Sequence, residues 1–429
     1  MANLLEIPES RMFSLPFEKD TFLLTLITLN SHSNFNHSEV PRSAYEMRKI
    51  SFINEILTLG IRFYFEKEER VYLKVTSNHL LVSCSVDTDS SYLSRYAYFA
   101  IYSLISIYER ISFNKYYWPD FFNKKNGTSK YLEIINDREG LDVFLKPEYA
   151  SFVRPNQILV FPKIGFESTR PVMVMRSKES LAVQRTNGVG FCIACTDSPY
   201  YHFNHFPFLI PFCGTLTKDS KSIKSFKKFL NSPKDFESLE LSSIQIKLCE
   251  TSLGMRELAA ISRIDDKLSF EERMPIFREN ARRFFHLFYL WKKAIDSLPF
   301  QSNMYYYTSW GLRDMKKRPQ KRRMVKCEIA YEAPKICFIW KDKVDYFELE
   351  YRFRINNKLM IPSEDNTLFF VNERDNPLKF YLFDSASDAE ISAFFAITKF
   401  KMLILKEHYE GKFQHYIEQL AKSYEFIKK

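Results

Sequence analysis

Two stretches of the chain carry residues whose types and spacing suit chemistry. The first is Cys192-Ile193-Ala194-Cys195, followed after six residues by His202 and after two more by His205. Two thiolates and two imidazoles suit a tetrahedral zinc ion. The six-residue spacer is much shorter than that of an ordinary zinc finger, and 190–194 reads as a strand, on which residues three apart face opposite ways. The neighbouring Tyr200, Tyr201, Phe203, Phe206 and Phe208 suit a packed aromatic core, where small buried thiols are common. We therefore expect no metal there.

The second stretch is 313–326, where Arg313, Lys316, Lys317, Arg318, Lys321, Arg322, Arg323 and Lys326 face one acid, Asp314. This window holds an excess of seven positive charges out of the chain's +10, so the basic character is local. Clustered Lys and Arg attract phosphate through local potential and counterion release. Arg322 and Arg323 add forked donors that match phosphate oxygens. Just upstream, Tyr305, Tyr306, Tyr307 and Trp310 are candidates to stack on unpaired bases. The expected nucleic-acid-binding set is the eight cations with Trp310. The competing reading is a solvated linker, the usual fate of a charge run, and no base-reading motif accompanies this one.

Catalytic patterns do not assemble. There is no GxSxG elbow, no HExxH and no cysteine within a nucleophile signature. Glu410-Gly411-Lys412 mimics the end of a nuclease motif but lacks an aspartate partner. Asp265-Asp266 and Glu271-Glu272 read as turn and helix-start acids that favour the helix dipole. ATP hydrolysis needs a phosphate cradle and a magnesium carboxylate, and neither GxxxxGK[ST] nor a DExH-like pair is present. The expectation is a protein that is not an enzyme, with no catalytic residue and no cofactor.

The elements that must position these residues follow from periodicity. Apolar alternation predicts strands within 12–29 around a turn at 16–20, then at 61–65, 71–75 and 80–86. Leu93, Tyr96, Ala97, Ala100, Ile101, Leu104, Ile105 and Tyr108 share one face of a helix that starts near Ser91. The polar run 124–129 marks a boundary. Short strands follow at 131–135, 141–145, 172–175 and 188–194, then a helix at 218–230. A long amphipathic helix spans 269–298, with Phe277, Ala281, Phe284, Phe285, Phe288 and Ile295 on one face and Pro275 near its start. Beyond the basic segment come hairpin strands at 336–340, 346–355, 358–361, 367–371 and 380–383. A helix at 388–397, a strand at 402–405 and a helix at 409–424 close the chain.

At 429 residues, with 45% hydrophobic content, 41 Phe and 25 Tyr, there is material for two or three cores. Only 10 Gly are present, which argues against glycine-rich phosphate loops. Seven Cys at irregular spacing read as reduced thiols of a cytoplasmic protein. The first residues lack an apolar signal core, and the most membrane-like run, 97–108, is too short to span a bilayer. No membrane association is expected. The fold class is α+β, multi-domain, with mixed antiparallel sheets and amphipathic helices. The expected divisions are 1–125, 126–304, a basic linker at 305–334, and a β-hairpin/α domain at 335–429.

Cys84, Val86, a seven-residue gap, then Ser94 and Tyr96 at the start of a helix have the spacing of CxC followed by CxH. This strand–turn–helix resembles a SWIM finger, whose four ligands hold one zinc. Only Cys84 keeps a ligand type, so the resemblance is to the scaffold with the metal lost. The C-terminal run resembles the segment before the motor in bacterial SWIM-containing Swi/Snf-like helicases: 367–371, 380–384, 402–406 and Phe413, Ile417, Leu420, Tyr424. The motor itself is absent. The resemblance implies an accessory or binding role, with DNA, RNA, a helicase or another DNA-processing protein as partner. A protein–protein scaffold without nucleic-acid contact is the alternative.

Overall fold

The computed structural model describes residues 11–86, 90–105, 109–137, 140–155, 157, 159–165, 188–196, 205–219, 222–263, 270–309, 311–362, 368–373 and 377–429. The fold is α+β, in two compact units. One holds Met1–Val160, Lys343–Phe347 and Met402–Phe413; the other holds Phe161–Asp342, Glu348–Lys401 and Gln414–Lys429. The polar run 124–129 lies inside the first unit, where the Asn54 amide donates to the Gly127 carbonyl.

The first unit begins with β1 (Phe13–Pro16), β2 (Leu23–Thr25) and α1 (Leu26–Ser31). It continues with β3 (Tyr45–Ile53), β4 (Ile56–Phe63), β5 (Glu69–Val75), β6 (His79–Cys84) and α2 (Arg95–Leu104). Then come β7 (Arg110–Ser112), β8 (Leu132–Asp137) and β9 (Gly140–Leu145). Its main sheet is antiparallel, in the order β1-β6-β5-β4-β3. Alternation buries Leu57, Leu59, Ile61 and Phe63 on β4 and Val71, Leu73 and Val75 on β5. Helix α2 adds Ala97, Phe99, Ala100 and Ile101 to the same core. The strand character read over 12–29 ends early, because the Thr25 hydroxyl accepts from the Thr28 amide and caps α1.

The remaining elements, in chain order, are β10 (Val189–Thr196), β11 (Phe208–Leu216), β12 (Ile223–Phe229), α3 (Ser243–Leu258) and α4 (Phe270–Ile295). Next are β13 (Met304–Ser309), β14 (Met324–Ile329), β15 (Lys335–Asp342), β16 (Tyr346–Ile355), β17 (Lys358–Met360), β18 (Phe370–Glu373) and β19 (Leu378–Leu382). Last come α5 (Ala386–Ile397), β20 (Lys401–Leu405), α6 (Lys412–Ser423) and β21 (Glu425–Lys428). In the second unit a seven-stranded sheet runs β12-β11-β10-β13-β14-β19-β18, parallel at β10–β13 and β14–β19 and antiparallel at its other described pairs. A second sheet has the order β17-β16-β15-β21.

Several expectations are corrected here. Residues 305–334 are not a linker: β13 and β14 stand in the middle of the seven-stranded sheet. The helix expected at 218–230 is instead β12. Its three-residue apolar spacing, Ile223, Phe226 and Phe229, comes from two bulges that leave Lys224 and Lys227 unmatched against β11. Gly214 lies between the bulges because a Cβ there would sit 2.4 Å from the Ser225 carbonyl oxygen. Helix α4 forms as expected, but its C-terminal half alone is buried, through Phe284, Leu287, Phe288, Trp291, Ala294 and Ile295. The terminal helix begins at Lys412 rather than 409. The strand expected at 172–175 lies outside the described residues.

Candidate nucleic-acid interface

Between β13 and β14 the chain makes two single 3-10 turns, Leu312–Lys316 and Lys321–Arg323. Met315, Pro319 and Met324 are buried and pin this segment to the unit. The cations between those anchors are therefore turned outward. Arg313, Lys316, Lys317, Arg318, Lys321, Arg322 and Lys326 are exposed. Arg323 differs: its guanidinium turns inward and meets the Asp314 carboxylate at 3.3 Å, and Lys317 reaches the same carboxylate at 3.5 Å. Trp310 lies outside the described residues.

The segment is fastened to the β12 end of the sheet. The Arg318 Nε donates to the Phe226 carbonyl at 2.7 Å, and the Asn231 side-chain amide donates to the Met315 carbonyl at 2.9 Å. These bonds set the 313–326 cations beside a second basic run that the sequence reading missed. Six lysines fall within 218–234, and the two bulges hold Lys224 and Lys227 exposed next to Phe226. Lys228 of the same strand is occupied by Asp235 at 2.6 Å. Burial works against the Asp235 charge, but Lys228, the Asn231 amide and Ser232 outweigh it and hold the carboxyl down to about 2. The available cations thus come from two segments about a hundred residues apart in sequence. The signal in the sequence was the lysine density of 218–234, obscured by reading that stretch as a helix.

The aromatic platform is corrected. Tyr305 and Tyr307 are core residues, packed on Phe212 and Phe226 and on Phe229 respectively. Tyr306 is half-buried against Phe380 at 5.2 Å. Tyr305 and Tyr307 offer no face on which a base can stack.

The cysteine–histidine pattern resolves into core packing for its described members. Cys192 and Cys195 are buried on β10, and burial pushes both thiols up, away from the thiolate a metal needs. The Cys192 Sγ lies 3.8 Å from the Met324 Sδ. His205 is fully buried; its Nδ1 donates to the Phe206 carbonyl at 2.9 Å, and its Nε2 accepts from the Ser309 hydroxyl at 2.9 Å. That tautomer is forced by the carbonyl, and burial pushes the ring's pKa down toward the neutral form. His202 lies outside the described residues. Among the described residues no group of three or more His, Cys, Asp and Glu comes together to hold a metal.

The SWIM-like positions have local roles. Cys84 is buried at the end of β6, and Val86 is 58% exposed. The Ser94 hydroxyl accepts from the Ala97 amide at 3.2 Å and caps α2. The Tyr96 hydroxyl donates to Glu66 at 2.8 Å. No helix among the described residues is long and apolar enough to cross a membrane.

A different charge cluster lies on β15, β16 and β20, which pairs with β16. Lys341 bonds Glu348 at 2.8 Å and also Glu350, Arg352 bonds Glu350 at 2.6 Å, and Lys401 reaches Glu348 at 3.3 Å. Here every charge faces its opposite, and Glu348 is buried.

No protein family, curated protein or solved structure matches this chain.

Proposed function

We propose that the protein is a non-catalytic binding protein that grips the phosphate backbone of DNA or RNA along the β12 end of its seven-stranded sheet. The observation that carries this reading is the Arg318–Phe226 hydrogen bond, which joins two cation-rich segments into one exposed surface. Exposed cations without carboxylate partners gain most from meeting phosphate, because they release counterions without first breaking an ion pair. The resemblance of 82–97 and of the C-terminal run to the region before the motor in SWIM-containing Swi/Snf-like helicases supports an accessory role. In this reading the chain works beside a motor or another DNA-processing protein and turns over no ATP.

The test is binding of a generic duplex and a single-stranded oligonucleotide between about 50 and 200 mM salt. Log affinity should fall linearly with log salt, by about 0.9 per phosphate neutralised on duplex. Changing Lys224, Lys227, Lys321 and Arg322 together to Gln should reduce that slope by up to about 3.6 units. A parent that binds neither nucleic acid at the lowest salt, or a variant that binds like the parent, overturns the proposal.

A further inference from the structure

Helix α4 is amphipathic along its length, yet only one face of its C-terminal half is covered. Away from that covered face, a ridge at four-residue spacing, Phe277, Ala281, Phe285 and Tyr289, faces solvent. Phe277 is 48% exposed, Phe285 44% and Tyr289 59%. One exposed aromatic is ordinary on a protein surface, but three in line are the arrangement by which a helix packs into another helix's groove. At 1.5 Å per residue the ridge is about 18 Å long, enough for some three turns of a partner. Aromatic side chains held on a rigid helix lose little entropy on docking and make strong anchors.

The occupant is set by charge. Arg278 and Arg282 lie one residue along from Phe277 and Ala281, both exposed, and form a cationic row beside the ridge. Arg282 is held by Glu279 at 3.0 Å and still keeps 65% of its side chain in solvent. Lys293 extends the row from above the Tyr289 ring, at 4.6 Å from its centroid. A second copy of this chain would bring this row against itself, within a molecule of net charge +10. A partner with an apolar stripe flanked by carboxylates would meet both features at once.

We propose that the exposed face of α4 is a docking face for an acidic amphipathic helix of another protein. The site is independent of the phosphate surface and stands or falls without it.

The experiment uses the full chain and two synthetic helical peptides with the same leucine stripe, one flanked by Glu and one by Lys, followed by fluorescence anisotropy. The parent should bind the Glu peptide and prefer it over the Lys peptide by at least about tenfold. Phe285→Glu should weaken Glu-peptide binding by at least about tenfold. Arg278→Glu with Arg282→Glu should reverse the preference between the peptides, an outcome that simple misfolding does not give. Equal binding of both peptides, or of neither, overturns the proposal. A parent that forms dimers abolished by Phe285→Glu assigns the face to self-assembly instead. Competition by a single-stranded oligonucleotide for the bound Glu peptide, lost in Phe285→Glu, assigns it to nucleic acid.

Discussion

The second unit holds two concentrations of charge, and they are built in opposite ways. On β15, β16 and β20, Lys341, Glu348, Glu350, Arg352 and Lys401 neutralise one another and Glu348 is buried. At the β12 end of the other sheet, Lys224, Lys227, Lys321 and Arg322 stand exposed, while Arg323 and Lys228 are satisfied by Asp314 and Asp235. A paired, buried network has its electrostatic energy already invested in the fold. A row of exposed cations has it in reserve for a partner. Composition alone ranks both as charged; only the pairing separates a structural cluster from a binding one.

That contrast can be broken by substitution. Lys341→Met should be the most damaging change, because it leaves Glu348 and Glu350 sharing only Lys401 and Arg352 in a half-buried site. Removing one member of such a network costs about 3 kcal/mol, read as a lower urea midpoint. An unchanged midpoint would mean that the network adds nothing to the fold.

Acid should act on the same network with a smaller and graded effect. Burial alone would raise the Glu348 pKa, but the hydrogen bond from Lys341 and the Lys401 charge hold it below the ordinary carboxylate range. A carboxyl depressed by folding contributes stability that is fully present above its unfolded value, near 4.5, and is lost as pH falls through its lowered folded value. Asp235 follows the same sign. Urea midpoints should therefore drop between those values, and the drop should shrink in Lys341→Met.

The smallest effect on folding belongs to the cationic surface. The quadruple variant at Lys224, Lys227, Lys321 and Arg322 should change the unfolding free energy, from urea titration, by no more than about 0.5 kcal/mol per site while nucleic-acid affinity falls steeply. A large loss of stability would show these side chains to be part of the packing after all.

In the first unit β5 and β6 were legible from apolar alternation, whereas β4 was read only at its end, 61–65 against Ile56–Phe63. Strand β3, Tyr45–Ile53, was missed because charged Glu46, Arg48 and Lys49 interrupt its apolar pattern. The helix α2 was legible from its apolar face, and so was the length of α4. Misreading β12 has a physical cause. Two bulges each insert a residue, so the apolar period became three, close to that of a helix. The discriminating detail was present in the chain. A true helical stripe mixes steps of three and four, as Phe284, Leu287, Phe288, Trp291 and Ile295 do, whereas β12 has lysine at the four-step position after Ile223. The basic segment was legible as composition, and its neighbours were not. Parallel pairing of β10 with β13 joins residues more than a hundred positions apart, and no local pattern encodes such a contact. Nor did the sequence mark which arginine would turn inward. That depends on Asp314 ending up opposite Arg323 once both 3-10 turns are folded.

Arg318 has a consequence for how the protein survives at high concentration. The last strand of an open sheet presents backbone groups on which a strand of another molecule can add, the first step toward ordered aggregates. In this sheet one such strand is β12, where the Arg318 guanidinium already occupies the Phe226 carbonyl. Lys224 and Lys227 beside it would bring like charges together if two copies approached edge to edge. The same side chains that offer phosphate a landing site thereby make the β12 edge a poor template for its own copies.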